Sequence, residues 1–115
     1  MSVSVQDFPL LFGSVQASHA SVSVTATSGE VLGALATSSG KRYRVTIQNV
    51  GTNPVAIRVG ATAAFGTNGE VILAGGTAAN DGTGGVLDLP GCQAAVNAIC
   101  AATKTSTLSV FVVLA

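Results

Sequence analysis

The sequence predicts an all-β fold, a two-sheet antiparallel sandwich of about eight strands that is jelly-roll or Greek-key-like. Three observations lead there. Val, Thr, Ile and Gly abound, while the good helix formers other than Ala are scarce. No long stretch repeats apolar residues at helical spacing, and a period-two alternation takes its place. Gly, Asn, Asp and Pro punctuate that alternation at short intervals, which is the chemistry of strands and turns.

Residues 1–20 read as an N-terminal extended arm or edge segment, and residues 21–115 as one sandwich domain. The arm, with VQDFPLLFGSVQASHAS, carries Phe8 and Phe12 around Pro9. Proline cannot donate to a strand ladder, so the segment is an edge or an extended arm. Phe8, Leu10, Leu11 and Phe12 either cap the domain's own core or dock on a neighbouring subunit. Strands are then expected at 21–27, 30–36, 42–49, 54–60, 70–74, 85–89, 97–102 and 107–114. The turns between them are Ser28-Gly29, Ser39-Gly40, Gly51-Thr52-Asn53-Pro54, Asn68-Gly69 and Asp81-Gly82. Asn68-Gly69 suits a tight turn that needs two positive φ angles. One helical turn is expected at Gln93–Val96. The glycine-rich stretch 75–85 reads as a long exposed connection, because strand-like sequence resumes directly after it.

Charge narrows the function. Only 9% of the 115 residues are charged, and five Lys and Arg balance five Asp and Glu. Near-zero net charge favours association over solitary solubility. It also lacks the cationic footprint that phosphate backbones require, so no nucleic-acid partner is expected. The start MSVSVQDF has neither a basic region nor a sufficient apolar run for a secretory signal, and SVFVVLA falls short of a membrane helix. A cytoplasmic product with no membrane partner is expected.

Catalytic equipment is thin. Asp7, Glu30, Glu70, Asp81 and Asp88 are scattered, and His19 is the sole histidine. The strand–turn–helix signature G-x-S-x-G is absent. Seven residues separate Cys92 from Cys100, which fits neither a redox C-x-x-C nor half a zinc site. These cysteines read either as two small buried hydrophobes or, in an oxidising setting, as a disulfide. The loop 75–85 lacks the spaced acids of a calcium site. No catalytic residue, metal or cofactor is expected, and the chain reads as a non-enzymatic structural or interaction module.

The basic run Lys41-Arg42-Tyr43-Arg44 offers a partner site. Alternation puts Tyr43, Val45 and Ile47 inward and Arg42, Arg44 and Thr46 outward. On the next strand Val55, Ile57 and Val59 point inward, and Ala56 and Arg58 outward. A hairpin of these two strands would set Thr46 against Arg58 and gather Arg42, Arg44 and Arg58 on one face. That face would meet an acidic protein surface, or be neutralised by the chain's own Glu70 or Asp88.

The run RVTIQNVGTNPVAIRVG, then the glycine-rich loop, GVLDLPGC and VNAICAATKTSTLSVFVV resemble small β-sandwich virion proteins of tailed bacteriophages. The resemblance spans about residues 42–114 and rests on strand and turn motifs, with no functional residue to carry over. It implies a capsid decoration (cement) protein on the outer capsid surface. There, as a dimer or trimer, it would bind the major capsid protein or other virion subunits and stabilise contacts between capsomers. The alternative is a carbohydrate- or receptor-binding sandwich of a head fibre, tail or adhesion component. Sugar platforms usually expose Trp or Tyr, and this chain has no Trp and a single Tyr expected inward.

Overall fold

A computed structural model describes residues 16–34, 42–66 and 70–114. They form eight strands: β1 (Gln16–Val24), β2 (Gly29–Leu32), β3 (Arg42–Asn49), β4 (Val55–Val59), β5 (Val71–Leu73), β6 (Val86–Pro90), β7 (Val96–Cys100) and β8 (Ser106–Leu114). One four-stranded sheet runs β1-β8-β3-β6 and the other β2-β7-β4-β5, with every paired neighbour antiparallel. Only the β4–β5 link stays within a sheet; every other link crosses the sandwich, which is the jelly-roll order.

The alternation read from sequence builds the core. Val45 and Ile47 of β3, Val55 and Ile57 of β4, Val96, Ala98 and Cys100 of β7, and Leu108, Val110 and Val112 of β8 fill the space between the sheets. Each fully buried aliphatic side chain contributes about 1.5–3 kcal/mol relative to exposure. Ala56, expected outward, is also fully buried. Its cross-strand partners are Ile72 and Ile99.

One buried polar residue joins the layers. Asn49, at the end of β3, has no exposed surface. Its Nδ2 donates to the carbonyls of Asn53 (2.7 Å) and Leu73 (3.1 Å). Its Oδ1 accepts from Gly51 N (3.1 Å) and Ser106 Oγ (2.7 Å). Side-chain capacity is therefore filled, as a buried amide requires. Gly84 passes so close to the Asn49 carbonyl that a Cβ there would collide with it.

Several expectations change. β1 begins at Gln16 and pairs with β8 at one edge of its sheet, so the boundary drawn from sequence between residues 20 and 21 falls inside a strand, and residues 16–20 of the expected extended arm or edge segment are its first part. Gln93–Val96 is not a helical turn; the segment is irregular up to Val96, and the Gln93 side chain bonds the Arg42 backbone instead. β3 and β4 are not a hairpin, because they lie in opposite sheets. Thr46 pairs with Asp88 and Phe111, and Arg58 pairs with Asn97. The turns Ser39-Gly40 and Asn68-Gly69 lie outside the described residues.

Candidate interaction surface

The three arginines separate. A register shift between Arg42 and Arg44 interrupts the β3 alternation and turns Arg42 inward and Tyr43 outward. Arg42 is 6% exposed and Tyr43 55% exposed, the reverse of the sequence expectation. The Arg42 guanidinium donates to the carbonyls of Gly33 and Ala94. Its backbone exchanges hydrogen bonds with the Gln93 amide. Arg42 thus clamps the end of β2 to the connection before β7 and is internal structure. Arg44 stays outside, with Nε 3.5 Å from Asp88 Oδ1, which also accepts from Thr46 Oγ1 at 3.2 Å. Arg58 is half-buried on the other sheet. No shared arginine face exists.

The glycine-rich loop is exposed but organised. Asp81 Oδ2 accepts from Thr77 Oγ1 (2.6 Å) and Ala78 N (3.0 Å), and Oδ1 from Thr83 N (3.0 Å) and Thr83 Oγ1 (2.6 Å). These bonds, led by Thr77 and Thr83, hold the Asp81 carboxyl well below the usual carboxylate range. Asn80 and Gly82 adopt positive φ, and backbone bonds to Gly51 and Val50 fasten the loop to the sandwich. The Asp-centred arrangement is legible as D-G-T in the sequence, but the reach back to Thr77 is not.

Both cysteines are free thiols. Cys100 sits in the core, where desolvation pushes its thiol pKa up. Cys92 is half-buried and packs against the same cluster. Among the described residues, no group of three His, Cys, Asp or Glu side chains could hold a metal ion, and no helix is long and apolar enough to cross a membrane. His19 Nε2 lies 2.7 Å from Ser109 Oγ on the outer face of the first sheet. Phe8, Leu10 and Phe12 lie outside the described residues.

Two flanks stand out as contact surfaces. At one, β1 is an edge strand of nine residues, QASHASVSV, with no Pro, Lys, Arg, Asp or Glu. The other edges are blunted: β2 is four residues long and β5 three, and β6 carries Asp88 and Pro90. At the opposite flank a cleft of about 260 Å³ opens between β4–β5 and β6. Ile57, Val59, Val71, Leu87 and Leu89 line it, with Arg58 and Glu70 beside them. Of its lining, Val59 and Val71 are each more than two-fifths exposed. Apolar side chains clustered at an open groove mark an interaction site more often than a solvated surface.

No protein-family model matches this chain, and no curated protein matches it in sequence. A solved structure shares its fold. That structure, described as "Bacillus endospore appendages form a novel family of disulfide-linked pili", superposes with a TM-score of 0.51 at 16% identity over 87% of each chain. At that identity the likeness is one of fold.

Proposed function

We propose that this chain is a non-enzymatic structural subunit that associates with copies of itself, edge to flank, into an extended assembly. The β1 edge carries this reading. A long strand edge without charge or proline is a template for pairing with another chain, and monomeric sandwiches normally protect against it. The low, balanced charge and the apolar side chains at the opposite flank support it. A contact between two unlike flanks repeats from copy to copy and builds a filament if the rotation does not close. The fold likeness to a pilus structure supports that geometry.

The resemblance of residues 42–114 to phage virion proteins favours a second reading, in which the subunit cements a capsid shell. Both readings describe a structural subunit. They differ in whether copies of the chain or a shell supply the docking surface. Light scattering and electron microscopy of the purified protein separate them: growing filaments are expected for self-assembly, and small closed oligomers that bind only added shells for the cement role. Ser21→Lys, at an exposed β1 position, should abolish growth without changing the thermal midpoint. Unimpaired growth of that variant would remove β1 from the contact.

A further inference from the structure

We infer that the cleft between β5 and β6 receives the N-terminal arm of a second copy of this chain, with Phe8 and Leu10 entering the groove and Asp7 meeting Arg58. The inference rests on the self-assembly reading and names its joint. The groove is open between two sheet edges, and aliphatic side chains from β4, β5 and β6 line it. An occupant must therefore be narrow, extended and apolar. Residues 1–15 precede β1 as MSVSVQDFPLLFGSV, whose centre is Phe8, Pro9, Leu10, Leu11 and Phe12. Proline holds its own φ extended and disfavours helix at the residue before it, so the stretch is suited to a groove.

Charge agrees with this occupant. Arg58 beside the cleft has no ion pair or side-chain hydrogen bond within the described residues. Asp7, directly before Phe8, is the arm's only charged side chain. Glu70, also at the cleft, accepts from Ala64 N at 2.7 Å, so its carboxylate is committed to the neighbouring loop.

The self-assembly reading, which rests on the β1 edge, selects a second copy over the chain's own arm. β1 and the cleft strand β6 lie at opposite edges of one sheet, three strand spacings of roughly 4.8 Å apart. Fifteen residues can span about 50 Å, so length alone permits either. A copy set flank to flank brings the root of its arm, at the start of β1, beside the neighbour's groove. The same contact then uses both flanks and leaves one of each free at the ends of the chain of subunits.

The test is a charge exchange in the full-length protein, read by light scattering across a concentration series. Asp7→Arg and Arg58→Asp should each raise the concentration needed for assembly by about tenfold or more, as opposed charges at a contact become like charges. The double variant should recover most of that loss. Val71→Glu, at an exposed cleft position, should also prevent assembly while the thermal midpoint holds. Assembly of all variants at wild-type concentrations would overturn the arm-in-cleft joint and leave the self-assembly reading standing. A wild type that is monomeric throughout would overturn both. Monomers in which the single variants lower the thermal midpoint and the double restores it would place the arm in its own cleft, which also overturns the inference.

Discussion

Ser106 Oγ donates to Asn49 Oδ1 at 2.7 Å, and this bond joins the start of β8 to the end of β3 inside the sandwich. The same amide binds the Asn53 and Leu73 carbonyls and Gly51 N, so one side chain ties together a turn and strands of both sheets. Removing the amide strands several buried groups at once, each costing about 1–3 kcal/mol. Asn49→Ala should therefore destabilise by about 2–4 kcal/mol, and Ser106→Ala by about 1–2 kcal/mol, in urea denaturation. Equal, small effects for both would show that water replaces the network.

Arg42 and Arg44 should behave oppositely although they are two residues apart. The Arg44–Asp88 pair is solvent-exposed, with side chains 58% and 46% accessible, so Arg44→Ala should cost under about 1 kcal/mol. Arg42→Ala leaves carbonyls of Gly33 and Ala94 without their donor and removes a buried side chain, for about 2–4 kcal/mol. Arg42→Lys should not restore it, because an ammonium cannot reproduce the planar fork. Thermal midpoints of the three variants decide the matter.

Acid should loosen the 76–84 loop before the sandwich unfolds. The Asp81 carboxyl titrates lower in the folded loop than in an unfolded chain, so its bonds contribute fully above about pH 4. That contribution is lost as the pH falls below this value toward the folded pKa. Protection factors of the Ala78 and Thr83 amides, whose N–H groups donate to Asp81, should fall in that range. Asp81→Asn should show fast exchange at neutral pH as well. Protection factors in the wild type that do not change between pH 5 and 2 would rule this out.

The cysteines should act as packing groups in the isolated subunit. Cys100→Ser places a hydroxyl in the core and should cost about 1–3 kcal/mol, while Cys92→Ser, half-buried, should cost less. A reductant should leave the wild-type thermal midpoint unchanged. A marked drop would mean that the two thiols are joined under oxidising conditions.

The sequence by itself determined the strands and most of their buried faces. Period-two runs such as Val45-Thr46-Ile47 and Leu108-Ser109-Val110 can bury one face only as strands, and each such run is a strand in the structure. Glycine, asparagine and proline marked where they end, because those residues carry backbone constraints that act locally. Which strands pair was decided by tertiary structure. β3 and β4 adjoin in sequence with a good turn between them, yet closing the core places them in opposite sheets and sets β3 between β6 and β8. A turn motif reports a chain reversal and not the partner sheet, so the Thr46–Arg58 register had no local signal against it. The break at Tyr43 likewise depends on pairing with β8, and it moved Arg42 from an expected surface to a buried clamp. The Asn49 network joins residues up to 57 positions apart, and the β5–β6 cleft exists only because two edges face each other across the sandwich. Periodicity reads one strand at a time, whereas these features arise between strands brought together by burial of the shared core.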